Sequence, residues 1–304
     1  MWIVKHRKIF YSFSAFLLLA AVVSLLVWGL KFGIDFTGGS LLEVAYESNT
    51  PTASEVTLAL QKVGINNASI RPTGDNGYLV RTPFLSPEDH SRVTDTLTLG
   101  NTRTFEEKRF DSIGPSIGSE LKTRAIYAII TVLLAITLFI AFAFRKVSNP
   151  VSSWKYGLVA LVALAHDVII PTGAFAILGH FLGAEVDTLF VTALLVVLGF
   201  SVHDTIVVFD RVRENLRKNQ EQNVKEPFEE VVGRSVTQTI TRSINTSLTT
   251  LFVLLGLYFL GPETIRWFTL TLIIGIIAGT YSSIFLGSPL LVSWKGKEVE
   301  KKKN

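Results

Sequence analysis

Long apolar runs alternate with shorter mixed segments along the chain. Six runs are long enough to cross a membrane, because a spanning helix needs about 20 mostly apolar residues. They cover Ile9–Leu30, Ala125–Phe144, Tyr156–Leu178, Thr188–Phe209, Ser243–Pro262 and Trp267–Trp294. The pattern predicts an α-helical membrane protein with six spans. We divide it into 1–32 (N-terminus and first span), 33–122 (a domain outside the membrane), 123–294 (the other five spans) and 295–304 (a tail).

The segment between the first two runs has the pattern of a small α+β domain. Strands are predicted at 41–47, 68–73, 78–82 and 102–110, with one helix from Thr52 or Ser54 to Val63 and another from Pro87 to about Leu97. The run Ser-Pro-Glu-Asp at 86–89 is typical of a helix start, with a cap, a proline in the first position and acids in the first turn. The order β-α-β-β-α-β is ferredoxin-like. We expect a protein-contact module, because no nucleophile and base lie near each other in it.

Composition agrees with a membrane protein surrounded by lipid. Hydrophobic residues make up 48% of the 304 residues, and the mean hydropathy is +0.41. The net charge of +4 is modest, and no Lys/Arg-rich stretch is interleaved with aromatics, so we expect no nucleic-acid partner. The absence of cysteine from the sequence excludes disulfides and thiolate metal sites.

Lys and Arg residues predict the orientation of the spans. Eighteen lie in the N-terminus, in 145–155, in 211–242 and in the tail, whereas the opposing short loops hold only Arg266. Because positive residues stay on the cytoplasmic side, we expect both termini in the cytoplasm and the 33–122 domain outside. The first run begins like a signal peptide, but its apolar core exceeds the usual 7–15 residues, which favours an uncleaved anchor.

Charged and hydroxyl side chains interrupt three of the apolar runs. Asp167 lies in the third, and Asp204 lies in the fourth with Ser201 and Thr205 beside it. The fifth begins with Arg242, which shares a helical face with three threonines: Thr239, Thr246 and Thr249. A charge inside a bilayer costs roughly 2.5–3.5 kcal/mol on insertion scales, so these residues are candidates for function.

Three interpretations of these residues stay open. Asp204 and Arg242 can pair simply to lock helices together. They can also form a proton path, because burial raises the pKa of a carboxyl group while a nearby arginine lowers it. A metal site built from two His-Asp pairs (His166, Asp167, His203, Asp204) is disfavoured, because neighbouring helix residues point about 100° apart. Both histidines are more simply neutral, hydrogen-bonded groups of the bundle.

Small residues recur every four positions in the last run, at Gly275, Gly279, Ser283 and Gly287. This spacing permits close helix contact, either within the chain or with another membrane subunit. Gly38 and Gly39, just after the first span, allow tight backbone turns, and Asp35 can cap or pair there. We interpret these three residues as a joint between the first span and the outside domain.

Four motifs resemble the SecF family of bacterial protein-export membrane subunits. They are GIDFTGGSLLEV (33–44), FSVHDTIVVFDRVREN (200–215), VTQTITRSINTSLTT (236–250) and GTYSSIFLGSPLL (279–291). The resemblance covers nearly the whole chain. It implies an RND-superfamily fold in the bacterial cytoplasmic (inner) membrane, paired obligately with SecD and working with the SecYEG channel and its SecA ATPase. It further implies a protein that is not an enzyme, that needs no cofactor beyond the proton gradient, and that uses this gradient to complete export of a polypeptide.

The resemblance also assigns residues. Asp204 and Arg242 match the buried aspartate and arginine implicated in proton flow, and Asp167 matches an acidic position in the third span, so we expect a proton relay that includes all three. His203 departs from the family, which more often has Asn there, and a titratable neighbour can join the relay. Two other functions stay open: an RND-type half-transporter for a small molecule, and a non-transporting scaffold of the translocase.

Overall fold

Six helices long and apolar enough to span a membrane appear in the computed structural model, which describes residues 2–47, 49–100, 102–145 and 151–301. The spans, called first to sixth below, are Arg7–Trp28, Pro115–Ala143, Ser153–Leu182, Thr188–Glu221, Phe228–Leu260 and Glu263–Trp294. They confirm the six runs predicted from the sequence. Of the residues used to predict orientation, Lys146, Lys302 and Lys303 lie outside the described residues.

Five spans are longer than their apolar runs, and the second, fourth and fifth are longer by nine residues or more. The second begins ten residues early, at Pro115 rather than Ala125. The fourth and fifth continue past the apolar runs and form a helical hairpin around a short turn. Polar contacts stabilise this hairpin: the Asn215 side chain donates to Ser235 Oγ at 2.8 Å and to Gln238 Oε1 at 3.0 Å. Hydropathy detects only the apolar part of such helices.

The sixth span is built from four consecutive pieces. A 3₁₀ turn at Glu263–Ile265 leads into the α-helix Arg266–Tyr281, then a π-helical segment at Ser282–Gly287, then the α-helix Ser288–Lys301. A short helix at Trp2–Lys5 precedes the first span.

Small residues bring the spans into close contact. A Cβ on Gly275 or Gly279 of the sixth span would collide with Val197 or Ser201 of the fourth, respectively. Gly173 of the third span lies equally close to the first span, where the Ser24 hydroxyl donates to its carbonyl oxygen at 2.8 Å. The glycines of the sixth span therefore pack within this chain.

Residues Phe32–Ala125 form a compact unit of their own. Its strands are β1 (Gly39–Tyr46), β2 (Ser69–Thr73), β3 (Gly77–Thr82) and β4 (Phe105–Ile113), in the order β2-β3-β1-β4, with every neighbouring pair antiparallel. This confirms the ferredoxin-like prediction. β4 starts three residues later than predicted, because Thr102 and Arg103 still donate their N–H groups to the carbonyl of Thr98 in the preceding turn.

Two helices, Ala53–Lys62 and Pro87–Leu97, bury their apolar faces against this sheet. Thr52 caps the first and exchanges hydrogen bonds with Glu55 in a capping box. Ser86 caps the second by accepting the N–H of Asp89 at 3.2 Å. Both helix starts therefore lie at the caps that the sequence predicts.

Candidate functional site

Asp204 lies on the fourth span and is almost fully buried, with 3% of its surface exposed. Its Oδ2 atom has no hydrogen-bond partner among the described residues, and neither has the buried hydroxyl of Ser243 on the fifth span. The Ser243 hydroxyl is close enough to the carboxyl group to interact with it, but the two do not meet in regular hydrogen-bond geometry, and the charges of His203 and Arg242 lie within electrostatic range. The site is thus a buried carboxyl group with an acceptor atom that forms no regular hydrogen bond with any described residue.

Arg242 lies on the exposed side of the fifth span. In the described part of the chain no salt bridge joins it to Asp204, so its charge acts on the carboxyl group only at longer range. Thr246 donates its hydroxyl to the Arg242 carbonyl at 2.9 Å, within the same helix. His203 is also exposed. The structure therefore shows the aspartate and arginine as separate groups.

The hydroxyls beside Asp204 have other partners. Ser201 donates to the Asp167 carboxylate on the third span, and Thr205 donates to the Ser201 carbonyl at 3.1 Å. On the fifth span, the buried Thr239 donates to the Ser235 carbonyl at 3.0 Å. Unlike Ser243, these three hydroxyls donate to helix backbone or to Asp167, and none of the three bonds to Asp204.

Asp167 joins three spans and has no exposed surface. Its Oδ2 accepts from Ser201 of the fourth span and, at 2.7 Å, from Ser282 of the sixth. Its Oδ1 lies 2.8 Å from Nδ1 of the neighbouring His166. Sequence reasoning missed Ser282, although it lies in the Ser-Ser pair of the GTYSSIFLGSPLL motif.

The joint predicted at Asp35, Gly38 and Gly39 is closely packed inside the outside unit. Asp35 lies in a one-turn helix, Ile34–Thr37, and Gly38 and Gly39 follow with φ of +72° and +118°. A Cβ on Gly38 would lie 2.7 Å from the Cα of Pro115, and one on Gly39 would lie 2.8 Å from the Thr82 carbonyl oxygen. Both positions therefore require glycine, for conformation and for space.

The described residues contain no group of three or more His, Cys, Asp or Glu side chains placed to hold a metal ion. The histidines of the two His-Asp pairs also differ in burial. His166 is buried and hydrogen-bonded to Asp167, whereas His203 is exposed.

Comparisons with known proteins cover almost the whole chain. The family model for protein export membrane protein SecD/SecF, C-terminal, matches residues 93–297, and that for the SecD/SecF GG motif matches residues 23–50. The protein translocase subunit SecF of Thermobaculum terrenum is 44% identical, over 97% of this chain and 94% of that protein. The subunit of Anaerolinea thermophila is 40% identical, with the same coverage of each chain.

Solved structures show the same fold. The crystal structure of SecDF from Thermus thermophilus, a translocon-associated membrane protein, superposes with a TM-score of 0.80 at 32% identity, covering 96% of this chain. A SecDF structure in a super-membrane-facing form gives a TM-score of 0.66 at 33% identity. The chain spans 38% of the first of these chains and 39% of the second. The chain belongs to the SecD/SecF family, as a SecF-type, non-enzymatic subunit of the protein translocase that spans the membrane six times.

Proposed function

We propose that this chain acts with a SecD-type subunit to use the proton-motive force for the late steps of polypeptide export through SecYEG, after the phase driven by SecA and ATP. The observation that carries this proposal is the Asp204 carboxyl group, buried in a membrane span with an acceptor oxygen that no described residue satisfies. A buried polar atom without a partner costs free energy, so a group kept in this condition is a candidate for function.

Protonation and ion pairing are two alternative ways to neutralise a buried carboxylate. Arg242 is close enough to act on Asp204 through its charge, without a salt bridge between them. A movement of the fifth span that brings the guanidinium to the carboxylate would displace the proton, and its withdrawal would let a proton bind again. The span movement and the proton are then coupled, since each excludes the other.

A membrane partner is needed to cover the polar side of the fourth and fifth spans. His203, Thr241, Arg242 and Asn245 are exposed on this chain. An arginine that faces lipid is unfavourable, and a partner with an acidic side chain beside it would remove this cost. This supports an obligate pairing with a SecD-type subunit. The second span, in contrast, exposes mostly apolar side chains that suit lipid.

We place the protein in the bacterial cytoplasmic membrane with both termini in the cytoplasm, because of the Lys and Arg distribution. The outside unit then meets the polypeptide as it emerges. In the joint of Asp35, Gly38 and Gly39, Gly38 lies against Pro115, the first residue of the second span, and Gly39 lies against Thr82 of β3. No cofactor other than the gradient enters this function.

The test uses proteoliposomes that contain the chain, its SecD-type partner and SecYEG, with export started by SecA and ATP. Asp204→Asn should abolish the stimulation of export by an imposed proton gradient and leave co-purification with the partner unchanged. Asp210→Asn is the matched control, because Asp210 lies on the same helix, is exposed and pairs with Arg213. Its gradient stimulation should equal that of the native protein.

Two results would contradict the proposal. If Asp204→Asn retains full stimulation by the gradient, Asp204 does not handle the proton. If Asp204→Asn and Arg242→Met lower export only in proportion to the complex recovered, the chain is a scaffold instead.

A further inference from the structure

The strongest cluster outside the Asp204 site is the junction of Asp167 with His166, Ser201 and Ser282. Each of these side chains exposes at most 1% of its surface, and they come from the third, fourth and sixth spans. We infer that Asp167 is a second proton-binding group of the bundle, and that the Ser282 hydroxyl passes its protonation state to the π segment of the sixth span. This inference rests on the proposed proton coupling.

Ser282 has one hydroxyl proton and two acceptors within reach. Its Oγ lies 2.7 Å from Asp167 Oδ2 and 3.1 Å from the carbonyl oxygen of Gly279 in its own helix. A hydroxyl group donates one hydrogen but can accept others. Ser282 can therefore donate to only one of the two acceptors at a time, and the protonation state of Asp167 determines which one.

The two arrangements are balanced in protons and hydrogen bonds. When Asp167 is ionised, its Oδ2 accepts from both Ser201 and Ser282, and the Gly279 carbonyl is left without the Ser282 proton. When Oδ2 takes up a proton, the new O–H donates to Ser282 Oγ, and Ser282 turns its own proton to Gly279. Ser201 still donates to Oδ2, and His166 Nδ1 still faces Oδ1. When Asp167 gains one proton, the direction of its hydrogen bond with Ser282 is reversed.

The backbone around the junction is irregular on both sides. Pro171 has no N–H for the Asp167 carbonyl four residues before it, and Pro289 has none for the Phe285 carbonyl. Ser288, which follows the π segment, donates its side-chain hydroxyl to the Ser283 carbonyl at 3.0 Å. Single π turns inside α-helices occur often at functional sites. Ser282 is the first residue of this turn, where a changed bond can extend or shorten it.

The neighbouring elements bring few titratable groups to this junction. The third span contributes His166 itself, whose Nε2 is buried and has no partner among the described residues. The sixth span contributes Tyr281, whose ring lies 6.1 Å from the His166 ring. The fourth span contributes Asp204, one helical turn from Ser201, and the exposed His203. The first span meets Tyr281 through Ser14, which does not titrate.

Infrared difference spectra of the reconstituted complex, recorded on a change of pH, test this directly. The native complex should show a protonated-carboxyl C=O band that is missing from Asp167→Asn. Ser282→Ala should move this band, because it removes the hydroxyl that accepts from the protonated acid. Ser283→Ala is the matched control: Ser283 is equally buried, but its hydroxyl donates to the Thr280 carbonyl, so the band should stay in place.

Export gives a second readout in the same preparation. Ser282→Ala should lower gradient-stimulated export about fivefold, the effect of about one net hydrogen bond. If no band depends on Asp167, or if Ser282→Ala leaves the band in place, the inference is wrong. These results are separable from the Asp204 test: the Asp167 band should survive in Asp204→Asn, whatever that variant does to export.

Discussion

Replacing Gly38 by alanine tests how closely the start of the outside unit is fitted to the second span. Gly38 has a φ of +72°, and its added Cβ would lie 2.7 Å from Pro115 Cα, 3.0 Å from Pro115 N and 3.3 Å from the Ile113 carbonyl oxygen. All three are backbone atoms, so no side-chain rotation relieves the contact. Alanine there must move the backbone of the one-turn helix, the end of β4 or the start of the second span.

The expected cost has two parts. The left-handed conformation costs an L-residue roughly 1–2 kcal/mol, and overpacking adds roughly 1–3 kcal/mol. Gly74 isolates the conformational part of the cost. It has a φ of +57° in the turn between β2 and β3, and a Cβ added there would have no other atom within 4 Å. Gly74→Ala should therefore lower the free energy of unfolding of the outside unit by only roughly 1–2 kcal/mol, and Gly38→Ala by roughly 2–5 kcal/mol.

Amide hydrogen exchange followed by mass spectrometry can measure both variants in the full chain reconstituted with its partner. Peptides from β1 and β3 report the opening free energy of the sheet. Equal losses of protection in the two variants would refute the reasoning, since the contact with Pro115 would then contribute nothing. If Gly38→Ala reduces protection from exchange only in residues 33–40, the effect of the substitution is local to the joint.

Two further predictions concern packing and pH. Gly275→Ala should destabilise the bundle by roughly 1–3 kcal/mol through its contact with Val197, and thermal unfolding should show recovery in the double variant with Val197→Ala. Gly256→Ala, whose Cβ meets nothing, is the control and should be neutral or stabilising; equal effects of the two alanines would contradict this. Burial raises the pKa of Tyr46 from 10.0 to about 12. The neutral phenol therefore stabilises the outside unit fully below pH 10, and this stabilisation is lost as the pH rises through about 12. Hydrogen exchange across this pH range should show that Tyr46→Phe loses less protection at alkaline pH than the native protein does. At neutral pH this variant lacks only the hydrogen bond to the Leu97 carbonyl. An alkaline profile equal to that of the native protein would refute this prediction.

The sequence predicted the elements whose signals are local. Ser86-Pro87 begins a helix because the cap and the proline act within one turn, and Thr52 with Glu55 does the same. The apolar runs predicted the spans because a bilayer selects length and hydropathy alone. The ferredoxin-like order followed from these elements, since few topologies connect them.

The parts that the sequence did not predict depend on contacts between distant residues. Ser201 lies one turn before Asp204, yet its hydroxyl bonds to Asp167, thirty-four residues earlier in the chain. The π segment is followed by Ser288 and Pro289, and its first residue, Ser282, donates to Asp167 of another span; neither feature is a periodic signal. The exposure of Arg242 likewise depends on how the fifth span packs, which no helical face analysis reveals.

The hairpin made by the ends of the fourth and fifth spans has a mechanical consequence. The fourth span has 34 residues and the fifth 33, so each is about 50 Å long, whereas the hydrocarbon core is about 30 Å thick. Both therefore extend about 20 Å into water as one stiff arm braced by Asn215. A tilt of about 10° at the bilayer centre would move the tip of this arm by about 6 Å. A fluorophore pair at the tip would therefore report movements that are too small to follow beside Asp204.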